Sequence, residues 1–188
     1  MKMTNTDSKV YPIVMTAMMM CIIMVSIVLF RIPIPFTQGY VNLSDAMIFL
    51  AVIMLGYKYG AVAAGLGGML GDLMAGFAMW APWTFCIKGL MALIFGLIIQ
   101  STLTRKLTGR GFLSIEIIGM ILAGVFMTAG YYLAEGIMYG NWVVAALGIP
   151  WNIAQFAVGI VLAIALAGAL AKTSLRNIMA YRAPAHTN

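Results

Sequence analysis

The chain has 188 residues, of which 63% are hydrophobic and only 9% are charged. A soluble domain carries about 25% charged residues, so this composition excludes a soluble globular protein and indicates an integral membrane protein. The net charge of +6 does not indicate nucleic-acid binding, because the basic residues are scattered at the ends of apolar segments. In such positions they orient a membrane protein.

The sequence predicts an all-α membrane protein with six transmembrane helices in a single domain, residues 1–188. Six helices of about 20 residues use most of this length and leave no room for a soluble domain. The first predicted helix covers residues 11–30, which is too long for the apolar part of a signal peptide, so we expect it to be retained. Pro33 and Pro35 then predict a loop over residues 31–42, because proline cannot continue a helix.

Two helices in close succession are predicted next. The first of them covers residues 43–57, with Ser44 as a suitable N-cap and Asp45 placed favourably in the first turn. A tight turn that carries Lys58 leads into the other, residues 60–77, whose glycines allow neighbouring backbones to approach closely.

The remaining predicted helices cover residues 82–103, 112–138 and 150–171. Pro150 suits the first turn of the last helix. Residues 139–148 are expected to form the loop before it.

The basic residues predict how the protein is oriented in the membrane. In the six-helix arrangement only Arg31 lies on one side, while Lys88 falls within a helix. By the positive-inside rule, the opposite side is cytoplasmic and both termini lie on it. The basic residues of this side are Lys2, Lys9, Lys58, Arg105, Lys106, Arg110, Lys172, Arg176 and Arg182.

One ionisable residue lies on each side of the turn between the third and fourth helices. Asp72 precedes this turn and Lys88 follows it, each about 8–9 Å away at about 1.5 Å of rise per residue. Isolated charges are costly in hydrocarbon and are usually paired or lie in a watered cavity. The matching depth therefore predicts a structural ion pair between Asp72 and Lys88, which can also line a pocket.

Most of the other polar and aromatic residues lie in the predicted outer third of the membrane. The inner half offers almost no ionisable group apart from Glu116. A channel needs polar lining throughout, and a proton relay needs steps across the whole thickness, so this pattern favours a pocket open to the outside and closed below. The residues predicted to bind a substrate there are Tyr40, Asn42, Asp45, Trp83, Lys88, Glu135, Trp142, Trp151, Asn152 and Gln155.

Several of these residues have an alternative structural role. Interfacial tryptophan and tyrosine side chains often anchor helices in the membrane. Asp45 can cap its helix instead of contacting a ligand. Glu135 is harder to explain structurally, because no basic residue lies near it in the sequence.

The chain carries no signature of catalysis. It has no nucleophile motif, no cluster of histidines and cysteines that would bind a metal, and no P-loop. We therefore expect neither enzymatic activity nor a cofactor.

Three stretches of the sequence resemble the substrate-specific S components of energy-coupling factor (ECF) vitamin transporters of bacteria and archaea. They are GYVNLSDA at residues 39–46, the glycine-rich helix with Asp72, and WAPWTFCIKGL at residues 80–90. The resemblance covers the whole chain and is most specific to the branch of riboflavin-type and hydroxymethylpyrimidine- or pyridoxine-type S components. It implies the six-helix S-component fold in a bacterial plasma membrane.

The resemblance also implies a mechanism and partners. S components bind a vitamin or precursor from outside and dock on a transmembrane coupling subunit that is driven by two ATPases, and toppling in the membrane is thought to deliver the ligand. The docking motif A-x-x-x-A of the first helix corresponds to Ala17 and Cys21, which departs from the motif at its second position. Small residues of the third and sixth helices are alternative docking surfaces.

The predicted pocket favours a small unphosphorylated ligand. Aromatic faces suit a planar heteroaromatic ring, and amides and carboxylates suit its nitrogens and hydroxymethyl groups. A phosphate would need several arginines, and only Arg31 lies on this side. We expect a pyridoxine- or hydroxymethylpyrimidine-like ligand, with riboflavin as the alternative. A stand-alone secondary transporter that couples to protons through Asp72 or Glu135 is the competing class.

Overall fold

The computed structural model describes residues 7–35, 37, 39–104, 109–175 and 179–181. These residues form an all-helical bundle with one antiparallel pair of two-residue strands, in which Ile32 lies opposite Val41. The elements in chain order are α1 (Asp7–Leu29), β1 (Ile32–Pro33), β2 (Tyr40–Val41), α2 (Ser44–Met74), α3 (Ala81–Thr104), α4 (Gly109–Tyr139), α5 (Trp142–Leu147) and α6 (Ile149–Leu170).

The long helix α2 is broken at Gly56, where two separate helices were predicted with a turn at residues 57–60. Gly56 has φ 80° and ψ 174°, a conformation that only glycine adopts readily. A Cβ on Gly60 would lie 2.8 Å from Cα of Val52, so the two halves of α2 fold back against each other. In the described residues, five helices are long and apolar enough to cross a membrane, and the expected six requires the halves of α2 to be counted separately.

The first half of α2, residues 44–55, lies at the centre of the bundle. All of its side chains except Met47 and Leu55 are buried. At roughly 18 Å, this half is shorter than the hydrocarbon layer of a bilayer, which is about 30 Å thick. A helix of this length does not carry its polar first turn out of the hydrocarbon layer, and the neighbouring helices bury Ser44 and Asp45 of that turn.

The glycine-rich second half of α2 packs closely on two neighbours, as the sequence predicts. A Cβ on Gly67 would lie 2.9 Å from the backbone oxygen of Met20 in α1, and one on Gly65 would lie 3.0 Å from that of Phe85 in α3. α2 also packs against α6, while α4 packs against α3, α5 and α6.

The predicted loop at residues 139–148 is wrong in part, because it contains the short helix α5. The side chain of Asn141 caps this helix by accepting hydrogen bonds from the backbone nitrogens of Val143 and Val144, both at 3.1 Å. The first loop, here called loop 1 (residues 30–43), likewise contains the strands β1 and β2.

The segment 179–181 forms hydrogen bonds with the backbone on both sides of the break in α2. The backbone nitrogens of Ala180 and Tyr181 donate to the carbonyl oxygens of Met54 and Ile53, both over 2.9 Å. The hydroxyl of Tyr181 accepts a hydrogen bond from the backbone nitrogen of Tyr57. Carbonyl groups that the end of a helix leaves unpaired are thereby satisfied.

The predicted orientation of the termini stays a prediction. Several of the basic residues that support it, namely Lys2, Arg105, Lys106, Arg176 and Arg182, lie outside the described residues, as do the side chains of Lys9 and Arg110.

Candidate functional site

Polar and aromatic side chains converge on one cavity at the loop 1 end of the bundle. Both ends of α2 lie at this end of the bundle, together with the first residues of α3 and α6 and the last residues of α4. The cavity measures about 30 Å³, far below the roughly 300–1,000 Å³ of typical ligand pockets, so a ligand enters only when a wall moves. It is lined by Ile27, Ile34, Gly39, Tyr40, Asn42, Asp72, Trp80, Thr84, Lys88, Tyr131, Glu135, Asn152 and Gln155.

A buried ion pair joins α3 to the first turn of α2. The ammonium group of Lys88 binds Oδ1 of Asp45, and both side chains are almost wholly removed from water. Nε2 of Gln155 donates to Oδ2 of Asp45 over 3.0 Å. Oε1 of Gln155 accepts from the backbone nitrogen of Asn42 over 2.7 Å. This chain of contacts ties loop 1, α6, α2 and α3 together.

The prediction of an ion pair between Asp72 and Lys88 is therefore wrong, because Lys88 pairs with Asp45. Asp72 instead accepts a hydrogen bond from the hydroxyl of Tyr40 through Oδ1. Equal depth below a turn says nothing about rotation around the helix axes, and Asp45, from the central half of α2, takes the place at Lys88.

Ser44 does not act as the expected N-cap. Its hydroxyl is buried and makes no hydrogen bond among the described residues. The side chain of Asn42 accepts a hydrogen bond from the backbone nitrogen of Ser44 over 2.9 Å instead.

Loop 1 is fastened to the turn between α2 and α3. The ring of Tyr40 lies 4.6 Å from that of Phe77, centroid to centroid. The guanidinium of Arg31 donates to the carbonyl oxygen of Ala75 over 2.7 Å and lies over the rings of both Tyr40 and Phe77. Burial, and then the neighbouring Asp72 carboxylate, raise the pKa of the Tyr40 hydroxyl well above its usual range, so this hydroxyl remains a donor.

An aromatic wall closes another side of the cavity. The ring of Trp80 lies 6.0 Å from that of Tyr131 and 6.1 Å from that of Tyr139. The hydroxyl of Tyr131 shares a hydrogen bond with that of Thr84 over 3.2 Å. These rings offer flat surfaces against which a planar ligand can pack.

Glu135 lies at the cavity and forms no ion pair with any residue that the structure describes. It is 2% exposed, and Oε2 is buried with no hydrogen-bond partner among the described residues. Two glycines leave room for its carboxylate: a Cβ on Gly39 of loop 1 would lie 3.2 Å from Oε1, and one on Gly148 would lie 3.1 Å from Oε2.

The structure brings together some of the predicted site residues and separates others. Asp45 lies behind the cavity lining, bound to Lys88 and Gln155. Trp83 is absent from the lining; Trp142 is 47% exposed and packs on Tyr132; Trp151 lines a separate, more open groove between loop 1 and α6. The predicted residues that do line the cavity are Tyr40, Asn42, Lys88, Glu135, Asn152 and Gln155.

Among the lining residues that were not predicted, three are aromatic or carry a hydroxyl group: Trp80, Thr84 and Tyr131. Helical spacing could have found them, because residues four apart share a helix face. Trp80 and Thr84 lie eight and four residues before Lys88, and Tyr131 lies four before Glu135. The same rule favours Trp80 over Trp83.

Comparisons with known proteins place the chain among ECF transporters. A family model described as "ECF-type riboflavin transporter, S component" matches residues 7–172. The chain is 32% identical over 150 residues to the thiamine precursor transporter HmpT of Lactococcus lactis subsp. cremoris, covering 79% of this chain and 81% of that protein. It is also 36% identical over 116 residues to an uncharacterized protein of Pyrococcus woesei, covering 62% and 72%.

Solved structures share the fold. The S component of a bacterial ECF transporter superimposes with a TM-score of 0.66 at 23% identity, covering 87% of this chain and 96% of that one. The S component for biotin from an ECF-type ABC transporter gives a TM-score of 0.65 at 17% identity, covering 95% and 100%.

Proposed function

The chain belongs to the family of ECF-transporter S components, the membrane-embedded substrate-binding subunits of these transporters, and we propose that it captures a small one-ring vitamin precursor for uptake. The ligand we propose is of the hydroxymethylpyrimidine or pyridoxine type. It is taken from outside the cell, across a bacterial plasma membrane, with both termini of the chain in the cytoplasm and six spans between them.

The observation that carries this proposal is the composition of the cavity lining. A flat aromatic wall around Trp80 and Tyr131 stands beside polar groups from Glu135, Asn152 and Asp72. Such a combination suits a planar ring that carries nitrogens and a hydroxymethyl group. The similarity to a thiamine precursor transporter over most of both chains supports the same class of ligand.

An unphosphorylated ligand fits the charges of the cavity. Lys88, its one lining cation among the described residues, is already bound to Asp45. Arg31 lies outside the lining and donates to a backbone carbonyl group. A phosphate group is usually held by several free donors, with arginine prominent among them.

The proposed partners are a transmembrane coupling subunit and two ATPases, which S components of this family work with. We place the docking surface on α1, where both Ala17 and Cys21 are exposed. Small side chains at this spacing allow another helix to approach closely.

Riboflavin is the second candidate, because the matching family model carries that name. A three-ring flavin would require a much larger displacement of the cavity wall than a single ring does. Isothermal titration of the purified protein with hydroxymethylpyrimidine, pyridoxine and riboflavin tests the choice. Tight binding of riboflavin, with none of either one-ring compound, would overturn the proposal.

A proton-coupled secondary transporter is the competing mechanism. Copurification separates the two, because an S component should bring a coupling subunit and two ATPases with it. Uptake that is abolished by a protonophore, but is insensitive to depletion of ATP, would favour the secondary transporter.

A further inference from the structure

The lining of the cavity has unused hydrogen-bond acceptors. Asp72 accepts from Tyr40 through one oxygen, and its other oxygen is buried without a hydrogen-bond partner in the part of the chain that the structure describes. Oε2 of Glu135 is likewise buried and has no hydrogen-bond partner among the residues that the structure describes. Lys88, a cation of the cavity lining, binds Asp45. The described part of the cavity therefore holds two carboxylates and no cation free to pair with them.

Within the described residues, Asp72 accepts one hydrogen bond and Glu135 accepts none. Its neighbours Gly39 and Gly148 present no side chain to it. A buried acceptor that lacks its hydrogen bond costs about 1–3 kcal/mol, and more when it is charged. A ligand that donates to this carboxylate removes that cost on binding.

We infer that Glu135 is the specificity-determining residue of the site and selects an aminopyrimidine. The amino group of such a ring donates to one oxygen of the carboxylate. The adjacent ring nitrogen, when it is protonated, donates to the other oxygen. Two parallel N–H···O bonds of this kind have the geometry of an arginine–carboxylate pair. The inference rests on the proposed function, in that the cavity must bind a small ring.

The other candidate rings cannot form this pair. Pyridoxine carries hydroxyl groups but has no amino group beside its ring nitrogen. The pyrimidinedione edge of riboflavin places a carbonyl group on each side of its N–H. When the carboxylate is ionised, this N–H can donate to one of its oxygens, but the adjacent carbonyl group offers no hydrogen to the other, so the two-bond pair does not form.

The experiment compares two ligands that differ at one position: 4-amino-5-hydroxymethyl-2-methylpyrimidine and its 4-oxo analogue. Titration calorimetry on the purified full-length protein should give about 100-fold tighter binding of the amino compound, because a site built around a hydrogen bond rejects a ligand that lacks it. Glu135→Gln should reduce this preference to within about threefold, since a neutral amide has one donor and one acceptor and serves either edge.

Asn152→Ala is the matched control. It removes another polar side chain of the cavity lining and should weaken both ligands alike, so that the preference for the amino compound is kept. Should Glu135→Gln fail to fold, Glu135→Asp gives the same readout, because the shorter side chain withdraws the carboxylate. In either variant, a selective loss of affinity for the amino compound supports the inference.

The outcomes separate this inference from the proposed function. If the wild-type protein binds neither these compounds nor pyridoxine, the proposed function fails and the inference fails with it. If the wild-type protein binds the amino and oxo compounds equally, or the Glu135 variants weaken both equally, the inference alone is overturned.

Discussion

Lys88 of α3 and Asp45 in the first turn of α2 form an ion pair with 1% and 0% of their side-chain surfaces exposed. Gln155 of α6 donates to the second oxygen of the same carboxylate, and Sδ of Met127 in α4 lies 3.3 Å from the ammonium nitrogen. Four elements of the bundle thus meet at one buried charge pair. A pair of this kind matters most when one partner is removed, because the other charge is left buried and uncompensated.

The first prediction is that Lys88 and Asp45 are energetically coupled. Lys88→Met or Asp45→Asn alone should lower the free energy of unfolding by about 3–5 kcal/mol. The double variant should recover much of that loss, because no uncompensated charge remains. Equilibrium unfolding in detergent, analysed as a double-mutant cycle, measures the coupling.

Asp72 provides the control for this cycle. Lys88→Met combined with Asp72→Asn should give a loss closer to the sum of the single losses, because the Asp72 carboxylate is bound by Tyr40. Stronger coupling of Lys88 to Asp72 than to Asp45 would contradict the observed pairing.

The second prediction concerns the fastening of loop 1. Tyr40→Phe removes the hydroxyl that donates to Asp72, while it keeps the ring that packs on Phe77. Hydrogen bonds to charged groups contribute about 1.5–3 kcal/mol, so the ligand should dissociate at least about tenfold faster. Because burial raises the pKa of Tyr40, its hydroxyl keeps the proton and this effect should persist up to about pH 9. Stopped-flow dissociation kinetics provide the measurement.

Tyr139→Phe is the matched control for Tyr40→Phe. The hydroxyl of Tyr139 is buried but has no hydrogen-bond partner among the described residues. Its removal should leave the dissociation rate close to that of the wild-type protein. Equal rates for the two variants would mean that the Tyr40 hydroxyl does not hold loop 1 closed.

The sequence predicts where helices begin and end better than it predicts which side chains meet. Prolines, charges and apolar length place most helix ends within a few residues of the observed ones. Rotation about a helix axis is decided by packing, which here turns Lys88 towards Asp45. The capping of the break at Gly56 by residues 179–181 depends on contacts distant in the chain, for which the sequence carries no local signal.

The candidate site illustrates the same limit. Polar residues inside apolar helices are costly, and this cost alone singles out Lys88, Glu135 and Gln155. Aromatic residues give no such signal, because lipid interfaces also favour them. The sequence therefore does not tell which tryptophans contact a ligand. Trp83, Trp142 and Trp151 were predicted to do so, whereas Trp80 lines the cavity.

The third prediction tests the close contact of α6 with the first turn of α2. A Cβ on Gly159 would lie 2.8 Å from Cβ of Asp45, so Gly159→Ala must shift one of the two helices. Overpacking of this kind costs about 1–3 kcal/mol. Gly168→Ala on the same helix is the control, because a Cβ there meets nothing within 4 Å and should be neutral or slightly stabilising. Thermal unfolding of both variants decides the matter; equal midpoints would contradict the contact.

The last prediction concerns orientation, which the positive-inside rule sets with loop 1 and the α4–α5 connection outside. Cysteines introduced at Thr37 and Gly140 should react with a membrane-impermeant maleimide added to intact cells. One at Thr108, which lies outside the described residues, should react only after the cells are opened. The native Cys21 and Cys86 are both exposed on helices that can face lipid, so the parent protein must be labelled in parallel. Labelling of Thr108→Cys on intact cells would show that the topology is the reverse of the predicted one. The cavity could then not capture a ligand from outside.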